Sequence, residues 1–150
     1  PFTNHAANFL SNARFINVDR DWRDQYIEVR DIVGFMVKIK RNLGLKPYGR
    51  ELLSEDDDRI TFFVNLRKEL ARLKAQNENQ PSDRIKWLTF EDIVFNTETV
   101  ARDVFDFLEI DYSNWEKEKY FQPKLSKKNI GKWKQSKFQN EIAIIEERLS

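Results

Sequence analysis

Phe15-Ile16-Asn17-Val18-Asp19-Arg20-Asp21 is a short apolar run that stops abruptly in charge, as a buried strand does where its carboxyl end meets water. From about Trp22 to Leu43 the apolar residues fall at Val29, Ile32, Val33, Met36, Ile39 and Leu43. That spacing is helical, it is too long for a usual strand, and Gly44 suits its close. The β-branched residues between Ile32 and Ile39 leave a strand open as the alternative.

The same alternation continues along the chain. Glu55-Asp56-Asp57-Asp58 suits the positive end of a helix dipole, and the expected helix carries Phe63, Leu66, Leu70 and Leu73 on one stripe and runs to about Ala75. Ile85 to Phe90 predicts a second strand, followed by Glu91-Asp92 and a helix from about Thr97 with Asn96 as its N-cap. Val100, Val104, Phe107 and Leu108 share a face of that helix. Ser113-Asn114-Trp115-Glu116 has capping-box spacing and predicts a short helix toward Tyr120. Ser136-Lys137-Phe138-Gln139 repeats the pattern ahead of a last helix with Phe138, Ile142, Ile145 and Leu149 inward. Strands alternating with helices give an α/β class with parallel pairing. Two strands alone stabilise a parallel sheet poorly, so further strands are expected ahead of Pro1.

A chain of 150 residues suits one domain. With 26 basic and 25 acidic residues the net charge is +1, which argues against a general nucleic-acid binder. No apolar run is long enough to cross a membrane and no signal peptide is visible, so a cytoplasmic setting is expected. The lack of cysteine excludes disulfides and thiolate metal sites, and one histidine, His5, makes a zinc site improbable. No metal is expected. A start at Pro1 close to a strand reads as part of a longer protein.

Positive charge is concentrated in one place. Lys124 to Lys137 holds six lysines and no acid, around Ser126-Lys127-Lys128-Asn129-Ile130-Gly131-Lys132-Trp133-Lys134. A lysine loop with a permissive glycine can cradle a phosphate. It can equally be solvated surface, with Trp133 anchoring the last helix. Arg20, just past a parallel strand, lies where α/β sheets gather ligands, and its planar fork suits a phosphate. Pairing with Asp19, Asp21 or Asp24 is the plainer role.

Taken in order, Arg20-Asp21-Trp22-Arg23-Asp24, then Phe90-Glu91-Asp92, then Lys127 to Lys134 resemble the second half of the sulfotransferases that use 3′-phosphoadenosine 5′-phosphosulfate (PAPS). The family's first element is Arg-Asp-Pro-Arg-Asp, so the resemblance implies that Arg20 binds the 3′-phosphate. Trp22 replaces the proline. Glu28 stands eight residues beyond the arginine, where the family has a phosphate-binding serine and a carboxylate would repel. Phe90 stands for the tyrosine of Tyr-Glu-Asp, near the adenine. Phe107-Leu108-Glu109-Ile110 matches a Phe-Leu-Gly-Ile step apart from Glu109.

The family's late loop is Arg-Lys-Gly-x-x-Gly-x-Trp-Lys. Lys127, Gly131, Trp133 and Lys134 match it, while Ser126 and Lys128 replace the arginine and the first glycine. Asn129-x-Gly131 resembles bacterial and glycan-modifying members. The resemblance therefore implies that Ser126, Lys127, Lys128, Asn129 and Gly131 close on the same 3′-phosphate. It extends from about Ala13 to Leu149 and implies a P-loop-like three-layer fold with a parallel sheet, here only its C-terminal, helix-rich portion. The family's N-terminal phosphate loop, a strand and a Gly/Ser/Thr-rich turn, is not found, which predicts no sulfuryl transfer by this portion alone. His5 lies a little upstream of the arginine strand, where many members place a general base. The expected partners are the nucleotide donor and a hydroxylated acceptor, a saccharide or another small molecule. A non-enzymatic α/β interaction domain and a nucleotide-kinase relative remain as alternatives.

Overall fold

A computed structural model describes residues 10, 12–43, 59–79, 83–115 and 122–150, with no side chains described at 33–43, 77–79 and 114. Strand β1 (Phe15–Asp19) leads after two residues into helix α1 (Trp22–Leu43), and α2 spans Arg59–Asn79. Strand β2 (Ile85–Thr89) runs directly into α3 (Phe90–Phe95), followed by α4 (Thr97–Leu108), the single turn α5 (Pro123–Ser126) and α6 (Gln139–Leu149). Two compact units emerge, one of Pro1–Asp21 with Asn77–Lys132, the other of Trp22–Gln76 with Trp133–Ser150.

In the first unit β1 pairs parallel with β2, Phe15 opposite Ile85 and Asp19 opposite Thr89. The α/β class and the parallel pairing stand, and the described residues give no evidence of the three-layer P-loop-like architecture. Among the described residues the sheet has two strands. Strand residues are half-buried, and Val18 is exposed, whereas a parallel strand covered by helices on both faces is buried throughout. Arg14 fastens this sheet to the end of α4, donating to the Phe107 carbonyl at 2.6 Å and to the Glu109 carboxylate. Glu109 caps α4 in the left-handed region at φ 57°, the conformation that explains a glycine in the matching family step.

Helix α3 is an addition to the expected scheme. Thr89 ends β2 and caps α3, its Oγ1 accepting from the Asp92 N–H at 3.0 Å, so the strand stops one residue before Phe90. Asn96 precedes α4 but makes no side-chain cap. Its amide instead donates to Asp92 Oδ1 at 3.3 Å. The turn at Tyr112–Asn114 is capped by Asp111, which accepts from the Ser113 N–H at 2.9 Å, rather than by Ser113. The expected continuation to Tyr120 lies outside the described residues, as do Gly44 and the acidic run at 55–58.

The second unit is built on α1, α2 and α6. Its core joins Tyr26, Ile60, Phe63, Val64, Ile142 and Ile145, with Trp22, Val29, Trp133 and Leu149 packed against it. Tyr26 meets Phe63 edge-on at 5.0 Å. Burying a ring such as Phe63 stabilises by about 1.5–3 kcal/mol. On α1 Asp24 and Tyr26 are buried and Trp22 and Val29 half-buried against the core, while Ile32 is exposed, contrary to the expected stripe. Helix is found where the β-branched residues left a strand open. On α2 the inward stripe is Ile60, Phe63, Val64 and Leu73, with Leu66 and Leu70 half-buried.

One polar cluster crosses this helical unit. Arg30 forks onto Glu141, Nε to Oε2 and Nη2 to Oε1, both at 2.9 Å. Tyr26 donates its hydroxyl to the same carboxylate, and Arg59 approaches it at 3.4 Å. The bond from Arg30, then that from Tyr26, pushes the Glu141 carboxyl down to about 2 despite partial burial. Burial, reinforced by Glu141, pushes the Tyr26 phenol well up. Phe138, at the entry to α6, lies under Arg30, its ring centroid 3.8 Å from the guanidinium carbon. The expected Ser136 capping box is replaced by Gln139 reaching back to the Ser136 carbonyl at 3.2 Å.

Candidate functional site

The register of the parallel pair builds the site in the first unit. Because Asp19 lies opposite Thr89, the chain leaves both strands at one edge, and Arg20 and Phe90 emerge side by side. Neighbouring strands lie about 4.8 Å apart, and the Arg20 guanidinium carbon is 5.0 Å from the Phe90 ring centroid. Two main-chain bonds fix the edge. The Arg20 N–H donates to Asp19 Oδ1 at 2.8 Å, and the Asp21 N–H to Glu91 Oε1 at 3.1 Å.

The lysine-rich segment reaches the same edge through its backbone, since Arg20 Nη2 donates to the Asn129 carbonyl. The segment is not the open loop expected from sequence. Pro123 starts the turn α5, Ser126 ends it, and Lys127–Asn129 continue as a tighter helical turn closed by the Ile130 N–H on the Lys127 carbonyl at 3.1 Å. Gly131 then takes φ +77°. An added Cβ there would meet nothing within 4 Å, so the glycine is required by its backbone conformation and not by a close approach. Lys127 and Lys128 are exposed, and Ser126 and Asn129 are half-buried. The Lys127 ammonium lies 5.3 Å from the Phe95 ring centroid.

The structure thus brings together Arg20, Phe90 and Asn129, and places Ser126, Lys127, Lys128 and Gly131 on the turns around Asn129. His5 lies outside the described residues. Trp133, in the second unit, is an anchor. Its N–H donates to the fully buried Asp24 at 2.9 Å, its ring lies 4.1 Å from the Arg23 guanidinium carbon, and it packs against the helical core. Glu28, at the family's serine position, is exposed on α1. Sequence reasoning missed Thr89, Phe95 and the Asp24 anchor. Only Thr89 left a local signal, a capping residue three before Asp92.

Chemically the edge is suited to an anion. Arg20 brings a planar guanidinium with several donors to this edge, while Lys127 and Lys128 add charge and the Phe90 ring adds a flat apolar surface. Among the described residues no cluster of carboxylates and imidazole could hold a metal ion, and no helix is long and apolar enough to cross a membrane.

Comparison with known proteins gives one match. A family model described as "Sulfotransferase family" matches residues 3–114. No curated protein and no solved structure matches the chain. The match covers the N-terminal bulk of the chain, which corrects the expectation that this sequence corresponds to the family's C-terminal part lacking the N-terminal part. Of the three motifs behind that expectation, Arg20-Asp21-Trp22-Arg23-Asp24 and Phe90-Glu91-Asp92 lie within the match and the lysine-rich segment lies beyond residue 114. His5, Arg20 and Phe90 lie within the match.

Proposed function

The chain belongs to the sulfotransferase family, and we propose that it transfers a sulfuryl group from PAPS to a hydroxyl of a carbohydrate or small-molecule acceptor. In this reading Arg20, Lys127 and Lys128 hold the 3′-phosphate, with charge-assisted hydrogen bonds that are stronger than neutral ones. Ser126, Asn129 and Gly131 shape the turns that carry those lysines, and the Phe90 ring packs against the adenine. Glu28 has no part in it. The reaction forms a bond from the acceptor oxygen to sulfur and breaks the bond from sulfur to the 5′-phosphate oxygen. Adenosine 3′,5′-bisphosphate leaves, and the hydroxyl proton passes to a base, for which His5 is the candidate. The chain's described residues contribute by holding and orienting the donor.

The observation that carries this reading is the strand-end pair. Arg20 and Phe90 fall within the family match, follow two parallel strands in register and stand 5.0 Å apart. Calorimetric titration with adenosine 3′,5′-bisphosphate tests it. The wild type is expected to bind, Arg20→Ala to weaken binding by about 10- to 100-fold, and Lys127→Ala to weaken it less, as befits loss of hydrogen bonds to charged groups. His5→Ala should lower turnover about 100-fold or more at unchanged affinity. A wild type that binds no bisphosphate would overturn the reading. Binding indifferent to both substitutions would overturn the site and spare the family.

A further inference from the structure

Helix α3 carries a phenylalanine at each end, and each ring has a basic group of the site over it. Arg20 stands 5.0 Å from the Phe90 centroid, and Lys127 stands 5.3 Å from the Phe95 centroid. Phe95 is 54% exposed, which a ring serving only the core would not be. Its backbone is well held without it. Thr89 caps the helix, and Thr97 Oγ1 donates to the Ile93 carbonyl at 2.8 Å. A six-residue helix thereby sets the separation of two cations through two rings.

We propose that Phe95 is a positioning residue. It holds the Lys127 ammonium by a cation–π contact, in a place from which the charge serves a nucleotide phosphate. The inference rests on the nucleotide reading of the same edge and adds a determinant that lies outside any phosphate contact. A lysine on an exposed turn samples many rotamers, and immobilising it for each binding event costs affinity. A ring beneath the ammonium restricts those rotamers beforehand while leaving the exposed side of the charge open to an anion. Aromatic rings attract cations in this way by about 0.5–1 kcal/mol at exposed sites, most strongly for Trp. The expected effect is therefore a two- to five-fold change in affinity, by conversion of about that energy.

A double-mutant cycle with adenosine 3′,5′-bisphosphate as the probe reads this directly. Phe95→Ala should weaken binding by about two- to five-fold in the wild-type background and have no effect in a Lys127→Ala background. Phe95→Trp should restore or exceed wild-type affinity. Thermal melting of each variant shows that it is folded. Equal losses in both backgrounds, or failure of Phe95→Trp to rescue, would overturn the proposal. Binding that Arg20→Ala weakens and Phe95→Ala leaves unchanged would overturn it too, with the nucleotide reading intact. Absence of any bisphosphate binding by the wild type removes the nucleotide reading and this inference with it. A ligand-free readout separates the geometry from the binding. The Lys127 side-chain protons should show an upfield ring-current shift in NMR that disappears in Phe95→Leu, and an unshifted Lys127 in the wild type would overturn the contact itself.

Discussion

Arg20 and Arg30 each lie over a phenylalanine, and they do different work. Arg30, in the helical unit, stands 3.8 Å from the Phe138 centroid with its fork closed on the Glu141 carboxylate. Arg20, at the strand ends, stands 5.0 Å from the Phe90 centroid and donates to the neutral Asn129 carbonyl. An anion that displaced Glu141 from Arg30 would strip a half-buried carboxylate of its forked partner. One that took over the hydrogen bond from Arg20 to Asn129 would displace a neutral carbonyl. In the proposed reading the same pair of residue types is thus a fastening in one unit and a receptive edge in the other.

The largest expected effect breaks the fastening. Glu141→Ala leaves Arg30 and the buried Tyr26 hydroxyl without their shared acceptor, and removing one partner of a largely buried pair should cost about 2–4 kcal/mol. Urea unfolding measures it. If the two regions differ as described, the folded variant binds bisphosphate like the wild type.

A smaller effect follows from pH. The Glu141 carboxyl sits at about 2 against an ordinary 4.5, so it binds its proton less readily in the folded state. Its stabilising contribution is fully present above pH 4.5 and is lost as pH falls toward 2, by about 2 kcal/mol after allowance for partial exposure. Melting temperatures across that window should fall more steeply in the wild type than in Glu141→Gln. Equal slopes would remove the Arg30–Glu141 bond from the account.

The smallest effect sharpens the description of the other region. Gly131→Ala forces a side chain into positive φ and should cost about 1 kcal/mol, measured by thermal melting. Because nothing crowds the position, the cost comes from the backbone alone, and Gly131→Asn should recover part of it.

Much of this arrangement was legible in the sequence, and the rest was hidden for identifiable reasons. The run Phe15 to Val18 ending in charge, and the apolar content of Ile85 to Leu88, mark both strands, so the sequence alone places Arg20 and Phe90 at strand ends. Helix α3 escaped because its cap, Thr89, is also the last residue of β2 and its first residue is a strand-forming phenylalanine. The α1 stripe went wrong at Ile32 because periodicity does not reveal which neighbours cover a face, and Tyr26 and Asp24 turned out to be the buried positions. The segment from Pro123 reads as a loop by its lysines, yet proline at the first helical position favours a turn. The bonds from Arg20 to Asn129 and from Trp133 to Asp24 each span 109 residues, and no local pattern signals such partners.

The contrast between the two arginines is tested most directly by substituting lysine for each and titrating adenosine 3′,5′-bisphosphate while recording the melting temperature. Lysine keeps the charge and loses the planar fork. Arg20→Lys should weaken binding by about tenfold, the worth of one charge-assisted hydrogen bond, at an unchanged melting temperature. Arg30→Lys should lower the melting temperature and leave affinity unchanged. Wild-type affinity in Arg20→Lys together with weakened binding in Arg30→Lys would contradict the assignment of the strand-end edge as the nucleotide site.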